Sequence, residues 1–142
     1  MFDFMPLLLT GFANILNPQT LALAAAACLG GLIIGALPGL TATMGLALLT
    51  TMTLHMEAFD AILILICTYV LAIYGGSRSA ILLNIPGTPS SAATALDGYV
   101  LARQGRAGEA MGLATIGSVL GTLVGIFLLA IITPPLGEFA LS

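Results

Sequence analysis

The chain alternates long apolar runs with short polar or Pro/Gly-rich interruptions. No charged residue occurs from Phe4 to Met56, and further uncharged runs cover Ala61–Ser77, Ser79–Leu96 and Ala110–Gly137. A helix needs about 20 mostly apolar residues to cross a bilayer. The pattern therefore predicts several membrane-spanning helices.

Three segments are long and apolar enough to predict complete spans, and they are Thr20–Leu37, Ala58–Tyr74 and Ala110–Thr133. Pro134-Pro135 is expected to end the last span, because proline removes a backbone donor and interrupts helical hydrogen bonding. Phe4–Leu16 is apolar but short. It is either an interfacial helix or a first, partial crossing.

Two Pro-Gly pairs interrupt the apolar segments. The first, Pro38-Gly39, separates a span from a shorter helix that is predicted over Thr41–Leu54. The second, Pro86-Gly87, lies within residues 79–96, where one uninterrupted helix is not expected. A re-entrant helical hairpin with its tip near Asn84–Ser91 fits this segment better. The predicted fold class is all-α: a polytopic transmembrane helical protein with broken helices and a re-entrant hairpin.

Composition points to the same class. Only 6% of the residues are charged and 59% are hydrophobic, with a mean hydropathy of +1.15. Soluble domains carry roughly 25% charged residues. No basic cluster indicates a nucleic-acid partner. Two of the three basic residues, Arg103 and Arg106, lie in a polar loop predicted over Asp97–Glu109, which the positive-inside rule places in the cytoplasm.

Catalytic and metal-binding patterns are missing from the sequence. His55 stands alone at the end of an apolar run, and no GxxxxGK[ST] phosphate-binding motif is present. Cys28 and Cys67 are too far apart to indicate a disulfide framework or a zinc site. We therefore predict that the protein is not an enzyme and binds no metal or organic cofactor.

The Pro-Gly interruptions are the candidate binding chemistry. A helix that begins inside the membrane directs free N–H groups and its positive dipole end at whatever lies there, which favours a carboxylate. Unwound carbonyl groups beside it can hold a sodium ion. The alternative is that both interruptions are kinks packed against neighbouring helices. The predicted substrate and ion site comprises Pro38, Gly39, Thr41, Thr43, Gly75, Gly76, Ser77, Asn84, Pro86, Gly87, Thr88, Ser90 and Ser91. Within it, Asn84→Ala is predicted to lower transport while leaving expression near normal.

Arg78 and a glycine repeat allow more than one interpretation. Arg78 stands alone between two apolar runs. It either neutralises an anionic substrate, pairs with Asp97 or extends its charged end to the membrane surface. Gly117, Gly121 and Gly125 recur every four residues on one helix face, which predicts close packing against another helix.

Three strings in this chain resemble the large membrane subunit of tripartite tricarboxylate transporters: GALPGLTATMGLALL, IYGGSRSAILLNIPGTPSSAATALDGY and LARQGRAGEAMGLA. The similarity covers essentially all of the chain. The family pattern falls on Gly35, Pro38, Gly39, Tyr74, Gly75, Gly76, Ser77, Asn84, Ile85, Pro86, Gly87, Asp97, Gly98 and Tyr99. Arg78 is not part of that pattern.

The resemblance implies a multi-pass permease in the bacterial inner membrane. It further implies a small membrane subunit and a periplasmic solute-binding protein as partners. The implied activity is uptake of citrate or another carboxylate, driven by a sodium or proton gradient. Residues 1–142 are then expected to be the N-terminal part of a single, longer permease domain, which leaves open whether that permease forms a homo-oligomer. The alternative is a small polytopic scaffold or regulatory subunit without transport activity of its own.

Overall fold

A computed structural model of the chain describes the backbone of residues 4–141 and the side chains of residues 9–137 and 139. Within residues 4–141 there are six α-helices and no strand, so the predicted all-α class is confirmed. A 3₁₀ turn, Pro89–Ser91, precedes the fifth helix. The helices are α1 (Phe4–Ile15), α2 (Pro18–Ala36), α3 (Ala42–Thr53), α4 (Ala58–Leu83), α5 (Ala92–Arg103) and α6 (Ala107–Leu141).

Three of these helices are long and apolar enough to cross a membrane: α2, α4 and the Ala107–Gly137 part of α6. The 26 residues of α4 extend over about 39 Å at 1.5 Å per residue, more than the roughly 30 Å of a bilayer core. The chain is therefore a multi-pass membrane protein. Helix α1 has only 12 residues, and of the two alternatives predicted for it neither is selected by the structure.

Helix α4 continues past Tyr74, where its end was predicted, and runs through Gly75 and Gly76 to Leu83. The prediction was wrong because these glycines serve packing and do not break the helix. A Cβ atom on Gly75 would lie 2.5 Å from the Leu32 carbonyl oxygen of α2. Small residues at this position let two helix backbones approach closely.

The polar loop predicted over residues 97–109 is much shorter, because α5 extends to Arg103 and α6 begins at Ala107. Gly105 ends α5 in a left-handed conformation (φ 79°). Its N–H donates to the Ala102 carbonyl and the Arg106 N–H donates to the Leu101 carbonyl, which is the Schellman arrangement for a helix end. Arg106 and Glu109 form an ion pair (2.6 Å) at the start of α6. The hydrogen bond to Glu109 raises the pKa of Arg106.

Helix α6 also runs past its predicted end, through Pro134 and Pro135 to Leu141. Proline fits the helical φ angle, but inside a helix it removes a hydrogen bond and its ring crowds the carbonyl of residue i−4, so α6 continues at a cost. The described side chains of α6 beyond its first turns are almost all exposed. No described atom lies within 4 Å of the positions where Gly117, Gly121 and Gly125 would carry a Cβ atom. Their packing partner stays a prediction.

Helices α2 and α4 form the closest pair and run in the same direction. Cβ atoms on Gly31 and Gly35 would collide with the backbone of Thr68 and Ala72, respectively. The Thr68 hydroxyl donates to the Ala27 carbonyl oxygen at 3.3 Å. Because the contacting residues advance in the same direction along both helices, the C-terminal end of α2 reaches the middle of α4.

Candidate functional site

The two Pro-Gly loops meet beside the middle of α4. The first loop connects the end of α2 at Ala36 to α3, and the second connects α4 to the 3₁₀ turn. The Gly87 N–H donates to the Gly76 carbonyl oxygen at 3.4 Å. Gly76 lies seven residues before the end of α4, so the second loop folds back by about 10 Å along that helix. From there α5 follows α4 in the same direction, with Gly98 against Ile81, so α4 and α5 do not form the helical hairpin predicted around Asn84–Ser91.

Glycines hold this loop against both helices. A Cβ atom on Gly87 would collide with the Gly35 carbonyl oxygen and lie 2.8 Å from Gly76 Cα and 3.0 Å from Ser79 Oγ. A Cβ atom on Gly76 would lie 3.0 Å from the Thr88 side chain. Gly35, Gly76 and Gly87 therefore form a junction where α2, α4 and the second loop come into backbone contact.

A cavity of about 280 Å³ lies between the loops. The hydroxyl residues of both interruptions line it: Thr41 and Thr43 on one side, Thr88 and Ser90 on the other. Its remaining lining residues are Ala42, Tyr69, Ile73 and Pro89. The structure thus brings together side chains that the sequence placed in two separate motifs, and none of the described lining residues is charged.

Two helix N-termini face this cavity. Thr41 caps α3, because its hydroxyl oxygen accepts from the Met44 N–H at 3.3 Å. The N–H groups of Ala42 and Thr43 have no acceptor among the described residues. On the other side, the Thr88 N–H donates to Ser91 Oγ at 3.2 Å, and the Ser91 hydroxyl donates to the Thr88 carbonyl at 2.7 Å. Thr41–Thr43 and Thr88–Ser90 line the same cavity, so both helix starts, which carry partial positive charge, border one space.

The hydroxyl groups form one pair on each side of the cavity. Thr41 Oγ1 lies 2.8 Å from Thr43 Oγ1, and Thr88 Oγ1 lies 3.1 Å from Ser90 Oγ. Hydroxyl groups both donate and accept, so each pair can donate a hydrogen bond to an anion or offer an oxygen lone pair to a cation. Together with free N–H groups, this arrangement suits a small oxyanion or a hard cation.

Other predicted site residues shape the loops without lining the cavity. Gly39 takes a left-handed conformation (φ 98°) that glycine adopts readily, and Pro38 and Pro86 are exposed. Gly75 and Gly76 lie in the helix packing described above. The Ser77 hydroxyl donates to the Ile73 carbonyl of its own helix at 3.3 Å, and Ser91 is buried within its cap.

Four cavity residues were missed by the sequence analysis: Ala42 and Pro89, which lie within the two interrupted segments, and Tyr69 and Ile73 of α4. Tyr69 and Ile73 lie one turn apart in the apolar sequence of α4. Nothing in their spacing separates them from ordinary lipid-facing residues. Only the arrival of both loops beside α4 shows that they line a cavity. The hydroxyl of Tyr69, one of two tyrosines in the largely aliphatic α4, is the one signal that the sequence offers.

Asn84 lies outside the cavity, exposed, at the end of α4. It is the one described non-glycine residue with a positive φ angle (56°), and its N–H donates to the Ala80 carbonyl. Asparagine and glycine tolerate this left-handed conformation, whereas alanine loses about 1 kcal/mol or more in it. The structure therefore supports a conformational role for Asn84.

We expect Asn84→Gly to keep transport near the wild-type rate and Asn84→Ala to lower it, because only alanine is strained in the left-handed conformation. Uptake rates and thermal stability of both variants in the full-length protein measure this. Equal loss of uptake in both variants, with stability unchanged, would instead show that the amide side chain is a ligand.

Comparison with known proteins identifies the family of this chain. A family model described as the tripartite tricarboxylate transporter TctA family matches residues 21–142. The chain is 41% identical over 142 residues to a protein of Agrobacterium vitis titled "Uncharacterized 52.8 kDa protein in TAR-I ttuC' 3'region". That alignment includes the whole chain and 28% of the relative's length. No solved structure matches the chain. The chain therefore belongs to the tripartite tricarboxylate transporter TctA family.

Proposed function

We propose that this chain is part of the membrane permease of an ion-gradient-driven uptake system for citrate-like carboxylates. We further propose that the cavity between the Pro-Gly loops binds substrate and coupling ion. One observation carries the proposal: two helix N-termini and four hydroxyl side chains converge on one cavity halfway along a membrane-spanning helix. Secondary transporters commonly build their midplane sites from such interrupted helices.

The position of the cavity matters because a carboxylate is costly to bring into hydrocarbon. Tyr69 and Ile73 lie near the middle of α4, so the cavity lies near the centre of the bilayer if α4 spans it squarely. Free N–H groups and hydroxyls replace the water that a carboxylate loses there. Because the site is neutral in the described residues, it can release the substrate as well as bind it.

The same cavity offers oxygen ligands for a coupling ion. Backbone carbonyls of an interrupted helix, together with hydroxyl oxygens, are common ligands of sodium in transporters. Thr41 and Thr43 place two hydroxyls next to the unwound segment that contains Pro38-Gly39. We propose that the coupling ion is a sodium ion or a proton and that a sodium ion would bind on this side of the cavity, because no described lining residue has a carboxylate or an imidazole that could take up a proton.

The family membership extends the proposal to partners and location. A tripartite system includes further subunits, which we take to be a small membrane subunit and a periplasmic solute-binding protein. We place the permease in the bacterial inner membrane. Arg103 and Arg106 flank the short α5–α6 connection, and the positive-inside rule places that connection in the cytoplasm.

The test is coupled uptake by the full-length permease, reconstituted with its partner subunits in vesicles. We expect Thr43→Val and Thr88→Val each to lower the kcat/KM of labelled citrate uptake by about tenfold, since each removes a hydrogen-bonding hydroxyl at nearly constant volume. Imposing a sodium or a pH gradient separately identifies the coupling ion.

Thr51→Val is the matched control. Thr51 lies on α3 as Thr43 does, is exposed, and donates its hydroxyl to the Leu48 carbonyl of its own helix. Its replacement is expected to leave uptake unchanged. Wild-type kinetics in both cavity variants would exclude the cavity as the binding site, and a complete lack of coupled uptake by the unaltered complex would favour a scaffold role.

A further inference from the structure

The two cysteines of the chain meet where α2 packs on α4. Cys28 lies in the middle of α2 and Cys67 in the first half of α4, and both are free and half-buried. A hydrogen bond joins their thiol groups. The sequence does not indicate this contact, because the two residues belong to different helices. Packing therefore produces a pair of adjacent thiols inside the membrane-spanning part of the chain.

The helix backbones beside the thiols are close enough for a disulfide. The Thr68 hydroxyl donates to the Ala27 carbonyl oxygen at 3.3 Å, and these two residues adjoin the cysteines in the sequence. One turn further along α2, a Cβ atom on Gly31 would lie 2.8 Å from Thr68 Cα. A disulfide requires Cα atoms within about 7 Å of each other. Two helices whose backbones touch at neighbouring residues offer such a separation.

Among the described residues, no cation contacts the pair. Arg78 is the one basic residue within the described spans, and it lies about three turns beyond Cys67 in α4. Its guanidinium donates to the Tyr74 hydroxyl and to Met111 Sδ, and it forms no described ion pair with Asp97. Thiols react as thiolates, which a neighbouring cation favours and apolar surroundings disfavour. The pair therefore suits slow, stoichiometric oxidation and not rapid turnover.

The depth of the pair determines which oxidants reach it. Both α2 and α4 are long and apolar enough to span the membrane, and both thiols lie well inside these helices. Polar and charged reagents are costly to bring into hydrocarbon. An apolar organic hydroperoxide is neutral and dissolves in the bilayer, so it can approach a half-buried thiol from the lipid side.

We propose that Cys28 and Cys67 are a redox modification site at which an organic hydroperoxide forms a disulfide between α2 and α4. One sulfur attacks the peroxide O–O bond and becomes a sulfenic acid, and the rest of the peroxide leaves as an alcohol that takes up the thiol proton. The second sulfur then displaces the sulfenic hydroxyl, which leaves as water with the second thiol proton. The two thiols together lose two electrons, and the hydroperoxide gains them.

The disulfide cross-links the two helices on which the candidate site depends. The close contact of α2 with α4 brings the two Pro-Gly loops together beside α4. A cross-link stabilises a fold mainly by restricting the unfolded chain. The oxidised protein should therefore keep α2 on α4 under conditions that separate them in the reduced protein. This inference holds whatever substrate the cavity binds.

The experiment treats the full-length permease in lipid vesicles with cumene hydroperoxide for minutes to hours, alkylates the remaining thiols and maps the peptides by mass spectrometry. We expect a cross-linked peptide that contains Cys28 and Cys67 and that dithiothreitol separates. We also expect the oxidised protein to unfold in denaturing detergent about tenfold more slowly than the reduced protein. Cys28→Ser should abolish both effects.

Cys28→Ala combined with Leu29→Cys is the matched control. It keeps the number of thiols but moves one of them by about 100° around α2, to an exposed position. We expect no cross-link from this position to Cys67. Equal cross-linking in the control would overturn the inference, because the thiols would then meet only when the helices separate.

Two further results would also contradict the proposal. The first is the absence of the cross-linked peptide after hydroperoxide treatment, including the case in which only copper–phenanthroline produces it, since the thiols would then be neighbours that hydroperoxides do not oxidise. The second is an equal rate of unfolding for the oxidised and the reduced protein, which would show that the disulfide does not hold α2 on α4.

Discussion

Gly35→Val is expected to prevent stable packing of α2 on α4. A Cβ atom at position 35 would collide with the Ala72 carbonyl oxygen and lie 2.6 and 2.7 Å from its carbonyl carbon and Cα. These are backbone atoms of a helix, so no side-chain rotation relieves the clash. Overpacking typically costs 1–3 kcal/mol, and we expect about 3 kcal/mol or more here because two helices must separate.

Size-exclusion chromatography of the detergent-solubilised full-length protein and its unfolding by a denaturing detergent measure this effect. Gly30→Val is the matched control, since it adds the same side chain to the same helix where no described atom lies within 4 Å. We expect the control to retain its folded yield. Equal losses in both variants would show that valine disfavours the helix itself and that the α2–α4 contact is not limiting.

Sequence patterns predict spans well because a bilayer imposes both length and polarity on a helix. Thr20–Leu37, for example, differs from α2 by only a few residues. The errors fall on residues whose role depends on a partner. Gly75 and Gly76 look like a helix break in isolation, yet they lie within α4, where α2 packs against Gly75 and Thr88 of the second loop packs against Gly76. Pro134 and Pro135 are a separate error, since they are exposed and were expected to end a helix that continues through them.

The candidate site was predictable in its chemistry and not in its assembly. Thr41, Thr43, Thr88 and Ser90 were identified from the Pro-Gly pairs that precede them. That they line one cavity depends on the register between α2 and α4, which is set by glycines that no local pattern distinguishes from ordinary ones. Only that register identifies Tyr69 as a residue that lines the cavity. Local sequence specifies the ligands, and tertiary packing specifies where they meet.

Gly87 belongs to a local Pro-Gly motif and also makes a tertiary backbone contact. We expect its replacement by alanine to have the second large effect. Its φ angle lies outside the left-handed region, so alanine adds no backbone strain. The added methyl group would meet the Gly35 carbonyl and would lie 2.8 Å from Gly76 Cα, both of them backbone atoms. The second loop must therefore move away from α2 and α4 by several tenths of an ångström, and Thr88 and Ser90 move with it.

Because the α2–α4 contact does not require the loop, Gly87→Ala should fold while losing about tenfold or more of the kcat/KM for citrate uptake. Gly112→Ala is the control: it adds a methyl group to α6 where no described atom lies within 4 Å. Reconstituted uptake and detergent unfolding, measured on the same preparations, separate a site effect from a folding effect. Wild-type uptake in Gly87→Ala would show that the cavity tolerates a displaced loop, so the hydroxyls on that side could not be substrate ligands. Loss of uptake with intact folding would show that transport depends on the positions of Thr88 and Ser90, which the close contact of Gly87 with the backbone of Gly35 and Gly76 determines.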